Sequence, residues 1–397
     1  MKAITNGKVV TITHGIIDGG TVLFEDGKIV ACGKDIAVPE AAEVIDASGK
    51  WVTPGLIDAH SHIGLFGEPS VWATADGNEM TNPITPHLRG IDSLNPQDPS
   101  FPIVLAAGVT TVFTGPGSAN IVGGTGMAIK LVGKTAEQMV IPGTEAMKMA
   151  LGENPKRVYG EMKKQPPATR MGNAAALREA FVTAQNYITK IENAKAEAAA
   201  ESKPIKMPER DLRWEMLAKV LRGEMIARIH AHRADDILTA IRIAEEFGIK
   251  YRIEHATEGY MIREILAEKQ VPCVVGPLLM SQSKMELTNV TLENPGLLSK
   301  AGVKVAIQCD TASGTRWLAL HAGLAVREGM PEEHAWKAIT INSAEIIGLD
   351  DRLGSLDPGK DADIAIWNGH PMSTLTKCEK VFVNGEKVFE IEGCNCK

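Results

Sequence analysis

Apolar and polar positions along the chain change rhythm twice. Up to about residue 50, short β-rich runs (Val9-Val10-Thr11-Ile12-Thr13, Thr21-Val22-Leu23-Phe24, Ile29-Val30-Ala31-Cys32) are punctuated by Asn6-Gly7, Asp18-Gly19-Gly20 and Asp26-Gly27. Asn-Gly and Asp-Gly tolerate the positive backbone angles of tight hairpin turns, so a small antiparallel sheet is predicted. From Pro54 onward, strand-like runs alternate with helical ones. Eight such runs occupy residues 56–57, 109–114, 127–132, 147–151, 226–230, 251–255, 271–275 and 303–307. Between the fifth and sixth, Ile237, Ala240, Ile241, Ala244 and Phe247 recur at helical spacing, with Asp235 or Asp236 as expected N-cap and Gly248 as the stop. Eight strands with intervening helices predict an α/β fold, a closed (β/α)8 TIM barrel.

Two further stretches modify this picture. Residues 161–222 read as an enlarged helical connection: Ala174 to Ala200 is rich in Ala, Glu, Lys and Gln, and Leu212 to Leu221 begins another helix. Its charge reads as a solvated face or a subunit contact. After a helix from Pro331, with Pro at its first position, hairpin chemistry returns in Ile364-Ala365-Ile366-Trp367 and around Asn384-Gly385. The predicted organisation is a small β-sandwich-like domain from residues 1–53 and 345–397, flanking a barrel over 54–344.

Composition narrows the function classes. The chain has 397 residues, 44% of them hydrophobic, and a net charge of −7. A core of that size is affordable, and no basic surface for nucleic acid is expected. No opening apolar segment and no run approaching about 18 apolar residues is present, so neither a signal segment nor a membrane span is expected. The six cysteines are sparse, and Cys394-Asn395-Cys396 reads as a frayed tail. These features fit a reducing cytoplasm, a small-molecule substrate and a homo-oligomer. Gly115-Pro116-Gly117-Ser118 and Gly123-Gly124-Thr125-Gly126 match no phosphate-binding pattern and read as turn glycines.

Candidate chemistry enters where strands end. Side chains two apart on a strand share a face, so His60 and His62 can converge on one ion. His230 and His232 end the fifth run, His255 the sixth, and Asp310 follows the eighth. Barrel active sites sit at the strands' C-terminal face, and five of the ten histidines plus one aspartate terminate β-runs there. That coincidence predicts a metal site.

These motifs, with Leu353-Gly354-Ser355-Leu356-Asp357-Pro358-Gly359-Lys360-Asp361-Ala362-Asp363, resemble the metal-dependent amidohydrolase superfamily, nearest its imidazolonepropionase-like and cyclic-amidohydrolase branch. The resemblance implies that His60, His62, His230, His255 and Asp310 hold one or two divalent ions, zinc first, with iron, manganese or nickel as alternatives. It also implies a fourth-strand carboxylate. Glu153 in Leu151-Gly152-Glu153-Asn154 is the favoured match, standing where its strand stops; a carboxylated Lys148 is the alternative.

The implied reaction is hydrolysis of an amide, cyclic-amide or small peptide-like C–N bond by a metal-activated hydroxide, with Asp310 as general base then acid. His232 is the candidate oxyanion donor, and His87 and Arg89, in the long loop after the first strand, are weaker substrate-binding candidates. A deaminase on the same barrel remains open. So does a non-catalytic scaffold, which should have lost ligands that this chain retains.

Overall fold

A computed structural model describes residues 1–201 and 204–391; the tail motif Cys394-Asn395-Cys396 lies outside the described residues. The strands in chain order are β1 (Lys2–Val10), β2 (Ile16–Glu25), β3 (Lys28–Gly33), β4 (Glu43–Asp46), β5 (Trp51–Pro54), β6 (Leu56–Ser61), β7 (Val109–Thr114) and β8 (Val122–Lys130). They continue as β9 (Ala146–Ala150), β10 (Ile226–Ala231), β11 (Tyr251–His255), β12 (Cys273–Val275), β13 (Val305–Ile307), β14 (Ile364–Trp367), β15 (Cys378–Val383) and β16 (Glu386–Glu390).

Both chain ends build one eight-stranded sheet, in the order β16-β15-β14-β5-β1-β2-β3 with β4 paired to β1. The hairpins predicted at Asp26-Gly27 and Asn384-Gly385 form β2–β3 and β15–β16, with Asp26 and Asn384 at positive φ. Asn6-Gly7 and Asp18-Gly19-Gly20 instead lie inside β1 and β2, where the pairing shifts register around Gly7. Alternation then buries Ile4, Val22, Phe24, Ile364, Ile366 and Phe382 in a core shared by the two termini. The Phe24 and Phe382 rings meet edge to face at 5.5 Å.

The second sheet runs β13-β12-β11-β10-β9-β8-β7-β6. It nearly closes, because Cys309 N donates to Asp58 Oδ2 (3.1 Å) and His62 N to the Thr311 carbonyl (3.2 Å), joining the region after β13 to β6. Seven strands run parallel. The third, β8, is antiparallel to both neighbours, so the predicted alternation of strand and helix fails there. Residues 115–121 are too short for a parallel crossover, which needs about a dozen residues or more. Nor do Gly123, Gly124 and Gly126 form a turn. They lie inside β8, where a Cβ on Gly126 would come within 2.8 Å of Gly115 Cα and one on Gly124 within 2.5 Å of Leu88 O. Glycine is needed for close backbone approach. The inversion puts Val122 at the end of the sheet where β9 and β10 finish, and Lys130 at the opposite end.

At that opposite end the two sheets join. Leu56 N donates to Gly108 O (2.9 Å) and Gly55 N to Asp363 O (2.8 Å). Gly108 has φ +77°, and a Cβ there would lie 2.3 Å from the buried Trp367 ring, whose Nε1 donates to Thr53 Oγ1 at 3.0 Å. Replacing Gly108 by alanine combines an unfavourable φ with overpacking. It should destabilise the fold by about 2–4 kcal/mol in urea titration, and a change below about 0.5 kcal/mol would contradict this close packing.

The helix Ala234–Phe247 follows the predicted apolar stripe and stops at Gly248 in the left-handed region. Its N-cap, however, is Arg233, and Ala234 N is satisfied by Glu258 Oε2 (2.8 Å). Asp236 is instead drawn to Arg170 Nε at 3.0 Å. The enlarged connection contains the helices Arg170–Glu201 and Leu212–Leu221, the first tied to Ala234–Phe247 by Arg178–Glu246. Among the described residues, no helix is long and apolar enough to cross a membrane.

Candidate metal centre

Strand alternation sends His60 inward from β6, with His62 one pleat beyond. Asp58 braces this segment by accepting from His60 N (3.0 Å) and Cys309 N (3.1 Å); burial raises its carboxyl to about 7. Asp310, three residues past β13, brings Oδ1 to 3.1 Å from His60 Nε2 and 3.0 Å from His62 Nε2. Burial would raise the Asp310 carboxyl, yet His255, His60 and His62 together hold it well below the usual carboxylate range.

On β10 and just beyond it, His230 and His232 project toward His255 at the end of β11, with ring centroids 4.4–4.6 Å apart. Alternation alone would set His255 on the opposite face from Glu254. Left-handed backbone at His255 (φ 71°) and Ala256 (φ 46°) ends the strand so that both side chains face the barrel interior. Positive φ in non-glycine residues is uncommon and clusters at functional sites; Asp310 (φ 54°) shares it. Burial keeps the His230 and His255 rings neutral, far below the ordinary histidine range.

Most of these rings are oriented by fixed oxygen acceptors. Glu254 Oε2 lies 2.7 Å from His60 Nδ1, Gly115 O 2.8 Å from His62 Nδ1, and Gly276 O 3.0 Å from His255 Nδ1. At His62, Gly115 O holds the proton on Nδ1 and leaves the Nε2 lone pair free. His255 Nδ1 is also met by Gln308 Nε2 at 3.0 Å, and Glu254 faces His60 as a charge partner. Glu254 is itself anchored by Arg228 Nε (2.7 Å), whose guanidinium also reaches Ala59 O and lies over the Phe113 ring.

Two triads offer ligand atoms within 4.8 Å of one another, namely His60–His62–Asp310 and His230–His232–His255. They are one contiguous cluster, since the His60 and His255 rings lie 5.1 Å apart. Beneath it, Lys148 on β9 pairs in register with inward-facing Arg228. Its Nζ is buried with no hydrogen-bond partner, as is His230 Nδ1. Burial pushes the Lys148 amine down to about 8 against the pull of Glu254 and Asp310. Unpaired buried donors are costly unless a ligand or modification completes them, and imidazoles with carboxylates suit a divalent transition ion. The donor set fits such a metal.

The other candidates are placed differently. Glu153 begins a short helix after Gly152 (φ 85°), and its Oε2 accepts Glu286 N at 3.2 Å. His87 and Arg89 are exposed, and Arg89 is paired with Asp92 at 2.6 Å. Sequence reasoning passed over Lys284 and Glu286, in the loop after β12. Glu286 Oε1 lies 3.7 Å from both His230 Nε2 and His232 Nε2. The signal was a run of polar residues, Ser281-Gln282-Ser283-Lys284, after a strand's C-terminal end.

Comparison with known proteins agrees. Residues 51–388 match the amidohydrolase family. The chain superposes on the crystal structure of an amidohydrolase from Thermotoga maritima MSB8 with a TM-score of 0.93 and 46% identity, over 98% of this chain and 100% of that one. It is 29% identical to amidohydrolase tasK of Hapsidospora irregularis over 94% of its own length, but spans only 40% of that protein. An imidazolonepropionase of Acidiphilium cryptum is 27% identical, with 89% and 88% of the two chains covered. Barrel, histidine cluster and relatives converge: the chain belongs to the amidohydrolase family, in its imidazolonepropionase-like branch, and is a hydrolase acting on carbon–nitrogen bonds.

Proposed function

We propose that this chain hydrolyses the C–N bond of an amide, cyclic-amide or small peptide-like substrate with the help of one or two divalent transition ions. The observation that carries this reading is the convergence of five histidines and Asp310 at the ends of β6, β10, β11 and β13. His60, His62, His230, His255 and Asp310 would hold the metal. Lys148, carrying a carboxylate on its nitrogen, suits the fourth-strand position better than Glu153. Its unpartnered Nζ lies inside the barrel, whereas the Glu153 carboxylate is committed to Glu286 N.

When bound, such an ion lowers the pKa of a water molecule to about 7 and so supplies hydroxide at neutral pH. The chain does the rest. His232 forms the substrate-facing wall beside the ligands, and Asp310, held ionised, takes a proton from the attacking water and returns it to the leaving nitrogen. His87 and Arg89 lie exposed on the surface loop beside β8 and are the weaker candidates for substrate contact.

The test is metal analysis of purified protein alongside a panel of dipeptides, N-acyl amino acids and cyclic ureides, with nucleobases screened for ammonia release. One or two transition ions per chain, activity lost to a chelator and restored by metal, and product from the panel are expected. Protein that binds no transition metal under any supply would refute the reading. Lys148→Met should deplete metal and cut turnover by about 100-fold or more, whereas Glu153→Gln should retain metal; the reverse order would return the ligand role to Glu153.

A further inference from the structure

The histidine cluster is not equally accessible all round. The side chains of His230, His232 and His255 are only 2–3% exposed, and the Lys284–Glu286 ion pair covers the first two. Asp310 and His62, by contrast, keep 27% and 15% of their side chains open. An incoming amide therefore meets the cluster on the β6–β13 side, between the loop after β6 and the segment after β13.

One clamp joins the two walls of this opening. Ser313 Oγ, three residues past Asp310, donates to Glu68 Oε1 at 2.5 Å. The backbone leading to Glu68 runs beside the ligand candidates. Phe66 N donates to His62 O (3.0 Å), and the Phe66 ring meets the His62 ring edge-on at 5.2 Å. Glu68 N then donates to Oδ2 of the buried Asp98 (3.0 Å), so the residue is held at both backbone and side chain.

The clamp leaves the Glu68 carboxylate under-used. A carboxylate offers about four acceptor sites on two oxygens, and Ser313 supplies one neutral donor to one of them. Among the described residues, half-buried Glu68 meets no cation. Its surroundings are negative as well. Between residues 62 and 99 the loop carries Glu68, Asp76, Glu79, Asp92 and Asp98 against Arg89 alone, and Arg89 is taken by Asp92 at 2.6 Å. On the other wall, Arg316 is exposed and lies over the Trp317 ring. A carboxylate held in such a field, at the open side of the cluster, draws a cation from solution.

We propose that Glu68 receives a protonated amine of the substrate. This rests on the hydrolase reading above and names the substrate class: amides carrying an ammonium close to the scissile bond, as in a peptide with a free N-terminus or a lysine side chain. An ammonium suits the site better than a guanidinium. A guanidinium fork engages both carboxylate oxygens at once, and Ser313 already holds one of them.

The test uses two matched pairs on the metal-loaded full-length enzyme: a dipeptide against its N-acetyl form, and an N-acyl lysine against the N-acyl norleucine. Wild type should favour the cationic member of at least one pair by about 10-fold in kcat/KM, chiefly through KM. The pair that shows the preference distinguishes an α-ammonium from a side-chain one. Glu68→Gln, which keeps an oxygen for Ser313 but no charge, should bring the ratio toward one, and Glu68→Lys should reverse it. Ser313→Ala, which loosens the clamp and leaves the charge, should retain the preference. Equal wild-type rates within both pairs, or a preference that survives Glu68→Gln, would overturn the proposal while leaving the hydrolase reading intact. Turnover of none of these substrates, nor of the cyclic ureides, would overturn the hydrolase reading itself.

Discussion

Exchange of Asp310 for asparagine is expected to lower kcat by about 10²- to 10⁴-fold, the usual share of a positioned general base. Asparagine preserves shape and can still meet His60 and His62, but it cannot take up a proton. The native carboxylate suits that task because the three histidines around it hold it ionised despite burial. The substitution should therefore retain most of the bound metal, since the histidines remain, and should act on kcat more than on KM. Steady-state kinetics at saturating substrate, paired with metal analysis of the same sample, separates the two effects. A variant with full metal and kcat within a few-fold of wild type would remove Asp310 from the proton pathway.

The second large effect concerns stability. Lys130, at the end of β8, is almost wholly buried and meets Asp361 Oδ2 at 2.8 Å, Asp363 Oδ1 at 3.0 Å and Asn384 Oδ1. It is the bolt between barrel and terminal sheet. Asp361 has further partners in Lys28 (2.7 Å) and Arg352 (2.9 Å), but among the described residues Asp363 meets no other cation. Lys130→Met should thus strand a buried charge and cost about 3–5 kcal/mol in urea titration. The pH dependence has a definite sign. Burial already raises the Asp363 carboxyl, and Lys130 opposes that rise. Without the lysine, the folded carboxyl should bind its proton more tightly than the unfolded one. The deficit relative to wild type should be greatest near neutrality and shrink as the pH falls. A deficit below about 1 kcal/mol, or one independent of pH, would show that the junction does not depend on this ion pair.

Local rules carried the reading of the sequence far in some places. Asn384-Gly385 and Asp26-Gly27 determine hairpins through backbone angles that few other residues adopt, and the apolar stripe through Ile237 and Ile241 allows little but a helix. His60 and His62 were legible for the same reason, a period of two. The reading stopped where geometry became long-range or left-handed. His255 was legible as the residue that ends its run, not by parity, which would turn it away from the barrel because a strand pattern does not reveal where the backbone turns to positive φ. The strand-tip reasoning that favoured Glu153 omitted its partner, Glu286, which arrives from a loop 133 residues later. The direction of β8 was hidden by its early start: a strand read from residue 127 leaves residues 115–126 for a crossover, whereas β8 begins at Val122 and leaves only 115–121.

That inverted strand changes how variation along it should be interpreted. In its seven neighbours, residues late in the strand face the chemistry and early ones serve as foundation. Along residues 122–130 the order is reversed. Val122 and the adjacent glycines stand at the catalytic rim, against the loop that carries Leu88 and Arg89, while Lys130 stands at the base. A mutational scan through this one strand should therefore pass from variants with altered turnover and ordinary melting temperatures to variants with ordinary turnover and lowered melting temperatures.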